Sequence, residues 1–260
     1  MRSYSSKHKD FFPEKRFFRG KNKKYARLYP PTELYNEFFL DGKCRFFYDY
    51  ENDGFAKKAE RTVHSKAGIR KAINAAIEGR VGWYPQTDKW LYGWLSNNSV
   101  QEKVVAVVGS DLPWYEAILL SRGAKFVVGV SEFETVSEDE RIVYKPIDKI
   151  KDECIDVVLS VGWINQYGLG RWGERLDANG DIKMMKSVKR ICKDGGLFIL
   201  GVPSGDDMIV WNKGRVYGKE RTKMLVEGWS LQETIGWDKT RSEQINKKLD
   251  YIPLMILKKV

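Results

Sequence analysis

The stretch Val104–Glu132, VVAVVGSDLPWYEAILLSRGAKFVVGVSE, limits the possible folds more than any other part of this chain. It opens on Val104–Val108, an apolar run rich in β-branched residues, as expected of a short strand buried on both faces. Gly109 and Ser110 break the run. Pro113 suits the first turn of a helix, where a missing N–H costs nothing. Trp114, Ala117, Ile118 and Ser121 then share one helical face. Gly123 suits the position just past the helix end, and Lys125–Val130 is a second apolar strand with Glu132 beyond its end. The spacing predicts a βαβ unit. Its first strand ends in a bend and its second ends beside a carboxylate.

Open α/β sheets take nucleotide-like ligands at that edge. The Gly109 turn offers backbone N–H groups, and Glu132 can accept two ribose hydroxyls. Hydrogen bonds to a charged acceptor contribute about 1.5–3 kcal/mol each. A turn with one glycine is not G-x-G-x-x-G, so a pyrophosphate-bearing dinucleotide fits poorly. A ligand with a ribose and no phosphate, such as S-adenosyl-L-methionine, fits better. The same pattern also describes an ordinary turn with a solvated Glu132, because a fold does not fix a function.

With 260 residues, 42% of them hydrophobic, the chain can form one α/β domain and an extension. It has no apolar run near the ~20 residues a bilayer span needs, and its N-terminus lacks the apolar core of a secretory signal. Cys44, Cys154 and Cys192 are widely spaced and odd in number, which argues against a disulfide framework or a zinc site. A reduced, cytoplasmic protein without metal is the expectation. Of the net charge of +10, +8 falls in residues 1–30, interleaved with Phe11, Phe12, Phe17, Phe18 and Tyr25. Such an arm can touch nucleic acid or an acidic surface, or simply be solvated.

Residues 30–65, with Pro30, Pro31, Asp41-Gly42 and Asp53-Gly54, read as loop with short pieces. Helical periodicity begins at Ser65 and stops at Gly79. A second helix spans about Thr87–Asn97, and its Trp90 and Trp94 are either core bulk or a wall beside an adenine. Arg141–Lys145 is a short strand followed by Asp148, a residue placed to reach an adenine amino group or to form a turn. Ile155–Val161 is a strong strand ending at Gly162-Trp163, on the same edge as Gly109 if the strands run parallel. A glycine-rich loop, Asn165–Gly180, follows. Asp181 opens a helix, Leu197–Val202 is a strand stopped by Pro203, and Leu231–Trp237 and Tyr251–Leu257 are strands joined by a polar segment. Repeated helix–strand alternation implies parallel pairing with right-handed crossovers. The prediction is a Rossmann-like doubly wound sheet, mostly parallel, with a C-terminal antiparallel hairpin, over 65–260. Residues 1–64 form the basic, aromatic-rich arm and extension.

Three tracts carry a resemblance. They are the βαβ unit above, YGLGRWGERLDANGD with the helix and strand after it to Pro203, and VWNKGRVYG with Glu227-Gly228-Trp229. These resemble the family catalogued as domain of unknown function 268, a branch of the class I S-adenosylmethionine-dependent methyltransferases, from about Trp83 to about Trp237. Residues 1–60 and the last hairpin lie outside the resemblance. It implies that Gly109, Ser110 and the following turn, with Asp111, hold the methionine end of S-adenosyl-L-methionine, and that Glu132 holds the ribose. Asp148, Gly162 and Trp163 complete the expected cofactor set. Gly168–Gly173, Asn212, Arg215 and Tyr217 match motif positions facing the active edge, and Tyr167 and Arg171 join them as candidate substrate contacts. Two positions depart from the pattern. Asn165-Gln166 stand where the family tends to carry Glu-His, and Gly214 stands where it tends to carry His.

Methyl transfer from a sulfonium is an in-line displacement, for which positioning supplies much of the rate. A hydroxyl acceptor gains from a base. Without a nearby histidine the candidates are Asp111, Tyr167, Glu174 and Asp177. Arg171 and Arg215 can hold an anionic group or form internal ion pairs. The expectation is a methyltransferase acting on a small-molecule or glycan hydroxyl. The alternatives are a catalytically inactive relative that binds or regulates, and an RNA-binding methyltransferase using the basic arm.

Overall fold

A computed structural model describes residues 29–50, 61–109, 112–171 and 174–260. Ser110, Asp111, Trp172, Gly173 and almost all of the basic arm lie outside them. The elements, in chain order, are strands β1 (Arg45–Tyr48) and β2 (Thr62–His64), helices α1 (Lys66–Ile77) and α2 (Pro85–Asn97), β3 (Val104–Val108), α3 (Trp114–Ser121), β4 (Phe126–Val130), β5 (Thr135–Ser137), β6 (Ile142–Lys145) and β7 (Ile155–Val161). After them come α4 (Gly180–Ile191), β8 (Cys192–Gly201), β9 (Met208–Trp211), β10 (Gly214–Val216), α5 (Lys219–Leu225), β11 (Trp229–Ile235) and β12 (Leu254–Lys259).

Seven strands form the central sheet in the order β6-β4-β3-β7-β8-β12-β11. β6, β4, β3, β7 and β8 are parallel, and β12 runs antiparallel to both β8 and β11. This is the doubly wound sheet of the class I methyltransferase type, with its C-terminal antiparallel hairpin. Strand order reverses between β3 and β7, so the crevice above their C-terminal ends is the topological switch point where such sheets take ligands.

The two-residue period of β3 explains the two cores. Val105 and Val107 face α1, α2 and α3, where Ile69, Leu91, Trp94 and Ile118 are buried. Ala106 and Val108 face the other side, where Met185 and Val188 of α4 pack with Val158 and Phe198. Trp94 is core bulk rather than an adenine wall, and its indole N–H donates to Glu233 at 2.8 Å. Ser65 caps α1 by accepting from the Gly68 N–H.

The short pieces expected in residues 30–65 include two strands. β1 pairs in parallel with β9, which pairs with β10, and β2 pairs in parallel with β5. Runs of three or four residues carry little periodicity, and their partners lie far away in sequence. The loop between Val202 and Trp229 likewise holds β9, β10 and α5, which the sequence pattern does not announce. Where the pattern begins a strand at Leu197, β8 starts at Cys192, and the strand expected at 231–237 is β11, shifted by two residues with a bulge at Leu231/Glu233.

Candidate functional site

The C-terminal ends of β3, β4, β6 and β7 bring five expected cofactor residues, Gly109, Glu132, Asp148, Gly162 and Trp163, to one edge. Gly109 turns with a φ of +79°, and its N–H donates to the Val130 carbonyl at 3.3 Å. Glu132 stands two residues beyond that carbonyl. Asp148 follows β6, in the single turn Ile147–Lys149. The Glu132 carboxyl is held above its ordinary pKa by the surrounding protein mass and by the like charge of Asp148. Asp148 is exposed and pairs with Lys149 at 3.3 Å, while its charge still reaches Glu132 from the end of the adjacent strand.

The glycine end is different. A Cβ at Gly109 would lie 1.8 Å from Cγ of Trp163, so the indole rests directly on the Gly109 backbone. Trp163 follows β7, so this contact spans the switch-point crevice. Its ring lies 5.4 Å from that of Tyr167, centroid to centroid. Gly162 turns with a φ of +65°, and the Tyr84 ring packs where a side chain would stand. The acid end fits a nucleoside. At the glycine end, the methionine part of S-adenosyl-L-methionine fits only once the Trp163 indole turns aside.

The five expected substrate contacts divide. Tyr167 and Arg171 stay at the edge. Burial pushes the Tyr167 hydroxyl up to about 12, assisted by Glu132, Glu174 and Asp177, which disqualifies it as a base near neutral pH. Asn212, Arg215 and Tyr217 are fully buried instead. Arg215 donates to the Tyr167 carbonyl at 2.7 Å and to the Asp177 and Ala178 carbonyls at 3.1 Å. It takes the internal ion-pair alternative, with Asp181, at 3.8 Å from Nε to Oδ1. Tyr217 donates to Asp181 at 2.9 Å, and Arg221 donates to Asp181 through both Nε and Nη2. Burial opposes ionisation of Asp181, but Arg215 and Arg221 overcome it and hold the carboxyl below its ordinary range. Arg215 and Arg221, with Tyr217 through Asp181, clamp the two ends of the glycine-rich loop. Within that loop Glu174 accepts from the Gly170 N–H at 2.7 Å.

Asp181, Arg221 and Tyr84 have no local signal in the sequence, because each acts on a partner in another element. The two departures from the family pattern turn out to be neighbours. A Cβ at Gly214 would lie 2.5 Å from Nδ2 of Asn165, and Oδ1 of Asn165 is buried without a partner among the described residues.

Residues 102–254 match the family model described as "Caenorhabditis protein of unknown function, DUF268". The chain belongs to the DUF268 family. The match starts later than the motif resemblance, beyond Trp83, and runs further, past Trp237 to the start of β12. No curated protein matches this DUF268 chain. Among solved structures, it is similar to 1,6-didemethyltoxoflavin-N1-methyltransferase from Burkholderia thailandensis, with bound 1,6-didemethyltoxoflavin and S-adenosylhomocysteine. The identity is 13% and the TM-score 0.48, over 90% of this chain and 92% of that one. It is also similar to the N-methyltransferase NodS from Bradyrhizobium japonicum WM9 in complex with S-adenosyl-L-homocysteine. Here the identity is 12% and the TM-score 0.47, over 74% and 98% of the two chains. No helix among the described residues of the DUF268 chain is long and apolar enough to cross a membrane.

Proposed function

We propose that this chain binds S-adenosyl-L-methionine at the C-terminal edge of its sheet and methylates a hydroxyl of a small molecule or glycan. The observation that carries this reading is that Glu132 and Asp148 follow adjacent strands, next to the strand that ends in the Gly109 turn. Glu132 accepts the ribose hydroxyls, and Asp148 accepts from the adenine amino group. The Gly109 turn, with Ser110 and Asp111, receives the methionine end. The bound sulfonium supplies the methyl group. Tyr167 and Arg171 line the approach, Arg215 and Tyr217 act through the loop they hold, and Asn212 is a buried candidate beside them.

The test is calorimetry of the full chain with S-adenosyl-L-methionine and S-adenosylhomocysteine. Saturable heat with either, lost in Glu132→Ala, supports the reading. Absence of heat with both at high protein concentration ends it. A second reading, a non-catalytic relative on the same scaffold, is favoured by the Trp163 indole on Gly109. It predicts no S-adenosylhomocysteine release with any acceptor, and release of product with one acceptor removes it.

A further inference from the structure

A cavity of about 410 Å3 opens between α1, the end of β2 and the turn that leads into α3. Gly109, Glu132, Asp148 and Trp163 do not line it. Its walls are Ile69 and Ala72 of α1, Leu112 and Trp114 before and in α3, and His64 of β2, with Trp83 at the mouth. Trp83 is 81% exposed and Leu112 58%. Large apolar side chains left in water around a concave apolar wall mark a binding site more often than chance. The volume is within the range of small-molecule sites.

The walls are held in place before any ligand arrives. The buried Asp88 carboxylate accepts from the Gly82 N–H at 2.6 Å, from the Trp114 indole N–H at 2.9 Å and from the Tyr115 hydroxyl at 3.1 Å. One acid thus fixes the segment that carries Trp83 and the helix start that carries Trp114, and its charge is satisfied behind the wall.

The chemistry of the lining selects the occupant. The described residues lining the cavity include no Asp, Glu, Lys or Arg. A charged group placed there loses hydration and gains no counter-charge. A glycan, with a hydroxyl on nearly every carbon, loses hydration against carbon walls in the same way. A polar ring among the described lining residues is that of His64, which is 8% exposed and whose imidazole pKa is lowered by burial.

We propose that this cavity binds a neutral, largely apolar small molecule whose single hydroxyl meets the His64 imidazole, a site apart from the cofactor edge and independent of the methyltransferase reading above. It assigns a role to a histidine that precedes the residues matched by the family.

The test titrates the full chain with 1-naphthol, 1-naphthyl phosphate and methyl glucoside by calorimetry, without cofactor. Saturable binding of 1-naphthol is expected, with the phosphate ester at least tenfold weaker and no heat from the glucoside. Ala72→Trp fills the cavity from a helix position and is expected to weaken 1-naphthol at least tenfold. His64→Phe keeps the shape and removes the ring nitrogens, for a loss of three- to tenfold. Leu112→Glu, at an exposed position, puts a charge on the wall without disturbing the core and is expected to weaken binding as well. Equal affinity for the phosphate ester, or 1-naphthol binding unchanged in all three variants, overturns the proposal. S-adenosylhomocysteine is titrated alongside. Its binding with 1-naphthol silent sinks the cavity alone, and the reverse sinks the methyltransferase reading alone.

Discussion

One indole decides whether the switch-point crevice is open. Trp163 lies on Gly109 with no room between them, so a ligand that uses the Gly109 turn must first displace it, and its apparent affinity falls by the fraction of molecules with the ring aside. Trp163→Ala is therefore expected to tighten S-adenosylhomocysteine binding by three- to tenfold in calorimetry. Weaker binding in that variant would mean that the ring stacks on the ligand instead. Glu132 carries a second prediction. Its folded pKa is raised, by burial and then by Asp148, so the folded chain holds the proton more tightly than the unfolded one. Ionisation then opposes folding above the folded pKa, and the opposition is gone once pH drops below the unfolded value, about 4.3. Glu132→Gln is expected to raise Tm at pH 7, to leave it unchanged near pH 3.5, and to abolish S-adenosylhomocysteine binding at pH 7. A variant with lower Tm at pH 7 would contradict the assignment. Glu132 was legible as an acid after a strand. The position of Trp163 was not, because nothing in Gly162-Trp163 says which way the ring turns once β7 lies beside β3.

At the scale of elements, the glycine-rich loop is held by α4, β10 and α5. The family tract around Arg215 reads from sequence as a row of polar groups available to a substrate, since burial of a single arginine has no local signature. In the fold, Arg215 and Arg221 reach carbonyls at Ala178 and converge on Asp181. Removing one partner of a buried charge set costs about 3–5 kcal/mol. Asp181→Asn is expected to lose stability of that order in urea unfolding at pH 7. The Asp181 carboxyl is held below its ordinary range, so its contribution is full above the unfolded pKa of about 3.9 and fades as pH falls below it. The gap between wild type and Asp181→Asn should narrow below pH 4, and a gap independent of pH would refute the ion-pair account. Between the loop and β10, Gly214 and Asn165 fill one space. Gly214→Ala should cost about 1–3 kcal/mol by overpacking, and Asn165→Ala should return part of it. A double-mutant cycle with no coupling would show that the two do not share the space.

For the molecule as a whole, the βαβ unit and the hairpin were legible because each rests on a run of apolar residues long enough to show its period. The small pairings of β1 with β9 and of β2 with β5, outside the seven-stranded sheet, were not, since they depend on contacts remote in sequence. Those pairings bear on what folds. β1 covers one edge of β9, β2 covers β5, and the Phe38 ring meets Trp211 edge-on at 5.4 Å between centroids, both side chains fully buried. We therefore propose that the unit that folds includes β1 and β2 and does not begin at residue 65. A chain starting at 65 loses β1, bares the β9 edge and leaves Trp211 without its partner ring. Deleting a buried Phe side chain alone costs about 3–5 kcal/mol. In a domain of this size each kcal/mol moves Tm by roughly 2–4 °C. Thermal unfolding should place 65–260 at least ~6 °C below 29–260, or show it aggregated, because an uncovered strand edge templates association. Equal Tm for the two truncations would show that the sheet stands without its N-terminal strands. In that case the His64 cavity, whose wall β2 supplies, would be an addition to the fold rather than part of it.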